Sequence, residues 1–194
     1  MLRRQRLQLP RCGLFPYARA VTYIRDARPT DAVRLAEIHA VSWKAAYRGL
    51  LSDAFLDGIT VTDRLEWWQS RLARVPPRWA ILVAEEAGRL SGFVTTGHCD
   101  DPDRRVPESG ELYAMYLDPE FWGLGVGRDL LAAAEDRLRE DAYLDASLWV
   151  LRDNSRGRRF YERGGWSADG AGQRMIIGSE AVAAVRYLRN LKNG

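Results

Sequence analysis

Between Leu112 and Leu131 the chain reads LYAMYLDPEFWGLGVGRDLL, and few folds accommodate such a stretch. An alternating apolar run stops at Pro119, glycines then take every second position at Gly123, Gly125 and Gly127, and an apolar helical pattern starts at once. Strand, glycine-rich turn and helix in that order aim several unpaired backbone N–H groups at one spot, where the helix dipole adds positive potential. An anion, usually a phosphate, is the expected occupant, and glycine is expected because a Cβ would hold the anion off the backbone. A left-handed turn needed only for packing explains one glycine well and three in register poorly. The spacing also excludes two commoner phosphate sites. A P-loop carries GK[ST], whereas Gly127 is followed by Arg128 and Asp129; a dinucleotide fold carries GxGxxG, whereas this is GxGxG behind an antiparallel hairpin.

The rest of the chain supplies the sheet around that turn. Val21 to Asp26 reads as a first strand, and Pro29-Thr30-Asp31 as a helix start with Thr30 as its cap. Leu35, Ile38, Ser42, Trp43 and Ala46 follow at helical spacing. A short helical piece from Ser52 to Leu56 precedes a second helix, Thr62 to Arg74, which Pro76-Pro77 ends. WAILVAEE and LSGFVTTGH are strands joined by a tight turn at Ala87-Gly88. A polar loop from Cys99 to Ser109 leads into a fourth strand, Glu111 to Leu117. Then come a helix at Arg128–Glu140, a strand at Asp145–Leu151, a helix at Asn154–Arg163 stopped by Gly164-Gly165, and strands near Gln173–Ile177 and Val182–Arg189. The order β-α-α-β-β-β-α-β-α-β-β predicts an α/β (α+β) fold, a mixed sheet of about six or seven strands with about four helices on its two faces.

At 194 residues the chain suits one domain with a real core, Met1–Ala20 being expected as a disordered basic tail and residues 21–194 as the domain. Arg3-Arg4 hints at an export signal, but Pro10, Arg11 and Pro16 interrupt the apolar core such a signal needs. A net charge of +3, spread along the chain, gives nucleic-acid binding no support. No apolar run approaches membrane-spanning length, so no membrane partner is expected. Cys12 and Cys99 form no CxxC pair, which fits a reducing cytoplasm. His39 and His98 are isolated, and neighbours such as His98-Cys99-Asp100 rarely converge on one ion, so no metal is expected.

The glycine stretch, Trp122-Gly123-Leu124-Gly125-Val126-Gly127, resembles the [Q/R]-x-x-G-x-[G/A] signature of the GNAT superfamily of acetyl-CoA-dependent N-acetyltransferases. A second block, DNSRGRRFYERGGW, resembles the family's downstream motif through Asn154, Phe160, Tyr161, Gly165 and Trp166. The segment WKAAYRGLLSDAFLD is similar to acceptor-side helices of members acting on small molecules. The resemblance spans about residues 21 to 190 and implies a mostly antiparallel sheet whose fourth and fifth strands splay apart. It departs from the family at the head of the loop: Trp122 replaces the usual Gln or Arg, and Leu124 a frequent basic residue, while Arg128 restores one charge.

The chemistry implied is direct attack of an amine on acetyl-CoA, used as cosubstrate without a metal. The backbone of Met115, Tyr116 and Leu117 is expected along the pantetheine arm, with Trp122 to Arg128 around the phosphates and Asn154 on a cofactor amide or capping its helix. Tyr161 stands where the family places a general acid. Glu111, at the head of the fourth strand, is the candidate base, with an ordinary exposed glutamate as the alternative. On the acceptor side, Trp43 and Tyr47 leave the first helix near the expected amine pocket, with Arg48 beside them. Asp100, Asp101, Asp103 and Glu108 form a loop able to draw in a cation, a field that Arg104 and Arg105 largely cancel. Trp67-Trp68 reads as one buried and one half-exposed ring. A small-molecule amine is the preferred acceptor; a protein N-terminus or lysine, a homodimer, and a cofactor-binding module without catalysis all remain open.

Overall fold

The computed structural model describes residues 22–104 and 107–192, so the basic tail, Cys12 and Arg105 lie outside the described residues. Seven strands form one sheet: β1 (Tyr23–Asp26), β2 (Ala80–Glu86), β3 (Arg89–His98), β4 (Ser109–Leu117), β5 (Asp145–Leu151), β6 (Ser167–Ile177) and β7 (Glu180–Asn190), in the spatial order β1-β2-β3-β4-β5-β7-β6. Every neighbouring pair is antiparallel except β4 and β5. Five helices accompany it: α1 (Ala32–Ala46), α2 (Asp53–Asp57), α3 (Val61–Ala73), α4 (Val126–Glu140) and α5 (Ser155–Arg163).

The sheet is buried from both sides, which is why its inner strands read as continuous apolar runs. On β2, Ile81 and Val83 join Leu35, Ile38, Trp68 and Leu72 beneath α1 and α3, while Leu82 and Ala84 join Leu130, Ala134 and Leu138 beneath α4. Each such leucine contributes roughly 1.5–3 kcal/mol by leaving water. The Ala87-Gly88 turn has positive φ at both positions (50° and 80°), the backbone a two-residue hairpin requires.

Local details depart from the sequence pattern for identifiable reasons. Thr30 does not cap α1; Pro29–Asp31 is a short 3-10 turn whose Asp31 carboxylate accepts the Arg28 N–H at 2.7 Å and pairs with Arg25 at 2.7 Å. β6 begins at Ser167, well before Gln173, because its ladder to β7 slips between Ala168 and Gly172. That irregularity put loop-like residues (Asp169, Gly170) inside a strand.

Two irregularities in β4 position the functional site. Its ladder to β3 shifts so that Thr95 pairs with Ala114 and Thr96 with Leu112, leaving Tyr113 as an extra residue. Its parallel ladder to β5 lasts only three pairs, Ser109 with Asp145, Gly110 with Ala146 and Glu111 with Ser147. A bulge bends and twists the strand that carries it. Beyond Glu111 the two strands diverge, as the resemblance implied, and a cleft opens through the middle of the sheet.

Candidate active site

A cavity of about 390 Å³ fills the cleft on the α4 side. Met115, Tyr116, Leu117, Trp122, Gly123, Gly125, Gly127, Arg128, Asn154 and Tyr161 all line it, so ten of the positions singled out for cofactor binding share one space. Leu124 and Val126 do not. Leu124 points outward (56% exposed), and Val126 is fully buried in the core as the first residue of α4.

The glycines prove necessary for differing reasons. Gly123 and Gly125 have φ of 81° and 90°, left-handed values that L side chains rarely adopt, and Gly125 is the N-cap of α4. Gly127 is helical, and a Cβ there would come 3.3 Å from the Phe160 ring. Backbone shape favours glycine at 123 and 125, while at 127 a Cβ would crowd the Phe160 ring. The Arg128 N–H bonds the Gly125 carbonyl at 3.0 Å, whereas the first N–H groups of α4 have no carbonyl one turn earlier to bond, and this positive helix end lies at the cavity wall.

Trp122 is held by its indole N–H, which donates to the Leu117 carbonyl at 3.1 Å. The Arg156 guanidinium lies 3.7 Å from the centre of the same ring and lines the cavity. The residue that replaces the usual donor thus carries another cation into the site. Sequence reasoning missed Arg156, although a signal existed: an arginine in a helix's first turn opposes the dipole unless an anion lies nearby. Asn154 caps α5, its side-chain oxygen accepting the Gly157 N–H at 2.9 Å. Burial and the neighbouring Tyr47 phenol hold Tyr161 above the ordinary tyrosine range, so it is a protonated donor at neutral pH.

A second cavity of about 310 Å³ opens on the α1/α3 side. The two share Tyr47, Tyr113, Ala114, Tyr116 and Trp149, so they meet at the splay. Trp43 lines the second cavity and Tyr47 both; the Tyr47 and Tyr116 hydroxyls lie 3.0 Å apart. The walls are largely aromatic: His39 stacks on Tyr116 at 5.4 Å, and Trp79 on Tyr113 at 4.7 Å. The bulge turns Tyr113 toward this side, where its hydroxyl donates to the His98 carbonyl. Of the tryptophan pair, Trp68 is fully buried and Trp67 is 39% exposed, and both line the cavity.

Glu111 lines neither cavity. It sits where the parallel ladder ends, near Cys99, Asp101 and Asp100, and is not exposed. Burial first, then the Asp101 and Asp100 charges, push its carboxyl up to about 7. Two of the loop acids, Asp101 and Asp103, share one arginine. Arg186, nearly buried on β7, pairs with Asp101 at 3.0 Å, Asp103 at 2.6 Å and Asp169 at 2.7 Å, and Arg104 pairs with Asp145 at 2.5 Å. Asp101 also accepts the Trp149 indole N–H at 3.2 Å, fixing a ring shared by both cavities. Among the described residues no group of acids, histidines and cysteines is arranged to hold a metal, and no helix is long and apolar enough to cross a membrane.

The sequence profile of the Acetyltransferase (GNAT) family matches residues 42–166, well over half of the chain. The chain belongs to the GNAT family. This member is 30% identical over 134 residues to the N-acetyltransferase YuaI of Bacillus subtilis, covering 68% of this chain and 72% of that protein. It is 28% identical to a spermidine N(1)-acetyltransferase of Thermoplasma acidophilum over 149 residues, covering 75% of this chain and 88% of the relative. Its fold matches that of the PaiA N-acetyltransferase from Thermoplasma acidophilum, solved with coenzyme A, with a TM-score of 0.70 at 24% identity over 88% of this chain and 99% of that one. As a GNAT member it is an acyltransferase that uses acetyl-CoA as cosubstrate. The first cavity offers what such a cosubstrate requires: a helix N-terminus, two arginines on its lining and an unpaired strand edge beside it.

Proposed function

We propose that this chain transfers the acetyl group of acetyl-CoA to a primary amine of a small molecule by direct attack, the amine entering from the aromatic cavity. The observation that carries this reading is the junction of the two cavities at Tyr47, Tyr116 and Trp149, beside strand edge that β5 has released. Acetyl-CoA supplies an activated acyl thioester. The N–H groups of Gly125 to Gly127, with Arg128 and Arg156, hold its phosphates. A β4 N–H freed beyond Glu111 polarises the thioester carbonyl.

Two proton movements remain for side chains. At pH 7 a primary amine of lysine-like pKa is free base for roughly one molecule in two thousand, so its proton must be taken. Glu111 titrates near neutrality, as a base should, and acts through water because it stands back from both cavity walls. Tyr161, kept protonated by burial, donates to the departing thiolate. A cofactor-binding module without catalysis rests on the donors lost at Trp122 and Leu124, and Arg156 offsets that loss. In this reading residues 21–194 act as one catalytic domain, and the reducing cytoplasm is its compartment. Thiol release from acetyl-CoA across a broad panel of primary amines tests the proposal. Turnover with any of them supports it; acetyl-CoA binding without turnover on every amine would refute it.

A further inference from the structure

The aromatic cavity carries a single charge on its walls. Among its lining residues Arg71 alone is charged at neutral pH, and no aspartate or glutamate of the described residues lines it. His39 adds none, because burial and the adjacent Arg64 lower its imidazole to about 3. Asp101 and Asp103 share the single Arg186 with Asp169, and neither acid lines this cavity.

An aromatic pocket ordinarily attracts cations, because ring faces are negative. Here that place is occupied. The Arg71 guanidinium lies 4.9 Å from the centre of Trp67 and 5.6 Å from that of Trp79, and it has no carboxylate partner among the described residues. A substrate ammonium at this end would find both indoles engaged and a like charge beside it. A planar anion would find a fork of free N–H donors, the arrangement that binds carboxylates. The opposite end, at Tyr116 and Trp149, opens onto the cofactor cavity, where the reacting amine must arrive. Apolar walls separate the two ends, Ile81 and Met175 among them.

Building on the acetyl-transfer reading above, we propose that the acceptor is an amino acid in the broad sense: a primary amine on a flat apolar body with a carboxylate at its far end, which Arg71 holds. A polyamine is the opposite chemistry, since its remaining ammonium groups would meet Arg71 with no acid to pair them. The specificity of this chain thus differs from that named for its relative from Thermoplasma acidophilum.

Three probes separate the cases: para-(aminomethyl)benzoate, benzylamine and spermidine, each assayed by thiol release from acetyl-CoA. Wild-type kcat/KM should favour the benzoate over benzylamine by about tenfold or more, chiefly through KM, the scale of a charge-assisted hydrogen bond. Arg71→Gln should raise KM for the benzoate until the two aryl amines converge, and Arg71→Glu should shift the preference toward spermidine. Equal use of the two aryl amines by the wild type, or a preference for spermidine, would overturn this inference while leaving acetyl transfer intact. Acetyl-CoA binding with no thiol release on any amine would overturn both readings.

Discussion

The two cavities are built by different means. The cavity proposed for acetyl-CoA is largely a backbone device: a released strand edge, a left-handed N-cap at Gly125 and the open end of α4, all within Leu112–Arg128. The aromatic cavity is a side-chain device, assembled from α1, α3, the segment before β2, and residues of β2 to β6. A backbone site tolerates side-chain change provided that φ is preserved, so replacing the usual donor by Trp122 does not destroy it. A side-chain site changes its ligand when one residue changes. One fold can therefore keep its acyl donor while its acceptor varies.

The largest effect should come from breaking the backbone device. Gly125→Val forces a β-branched residue to φ near 90°, at a cost of about 1–3 kcal/mol in strain. Acetyl-CoA at a hundredfold excess over its Kd should stabilise the wild type by about 2.7 kcal/mol, and thermal melts of the variant should show none of that gain. Trp43→Ala, on the acceptor side only, should keep the gain.

Next in size is the proton donor. Tyr161→Phe leaves the ring packed against Phe160 and removes only the hydroxyl. Acetyl-CoA affinity should persist in calorimetry while kcat falls about a hundredfold. An unchanged kcat would return Tyr161 to packing and make water the donor.

Glu111→Gln should lower kcat/KM about tenfold just above pH 7, where the wild-type carboxylate is ionised and the amine is not yet free base. The loss should narrow toward the amine's own pKa, and also below pH 7, where Glu111 is protonated. The same shift acts on stability. The folded chain keeps a proton up to about pH 7 that the unfolded chain releases near 4.5, so wild-type stability falls as pH rises through that window. Between those limits the variant should gain on the wild type by on the order of 3 kcal/mol, read from denaturant curves. A uniform activity loss at all pH values, without this stability trend, would point to a purely electrostatic binding role.

The smallest effect tests the compensation at Trp122. Arg156→Ala should weaken acetyl-CoA binding several-fold, with a shallower dependence on salt, since one cation near the phosphates is lost. No change in affinity or in salt dependence would mean that Arg156 only packs on the indole.

The same contrast decides what could be read in the sequence. The succession of strands and helices along the chain, the glycine turn and the cavity-lining positions of Asn154 and Tyr161 are legible because contiguous motifs specify backbone geometry. Even there the reason assigned to the glycines was incomplete, since the contact of Gly127 with Phe160 joins residues distant in sequence. Trp67 and Trp68 have the exposures their pattern suggests, yet nothing local says that Trp67 shares a rim with Trp79 and Arg71. The loop acids were expected to be offset by Arg104 and Arg105, but Asp101 and Asp103 pair with Arg186 of β7 while Arg104 pairs with Asp145. Arg156 escaped notice because stacking on Trp122 is a tertiary fact. Acceptor chemistry was the hardest to read because tertiary packing alone assembles it.

A crystal structure with coenzyme A and the N-acetyl product of para-(aminomethyl)benzoate would show whether one reaction spans the two joined cavities. Phosphates are expected at the N–H groups of Gly125 to Gly127, and the product amide between Tyr116 and Trp149 with its carboxylate on Arg71. Coenzyme A extending into the aromatic cavity, or the product bound elsewhere on the surface, would contradict a reaction shared by the two cavities.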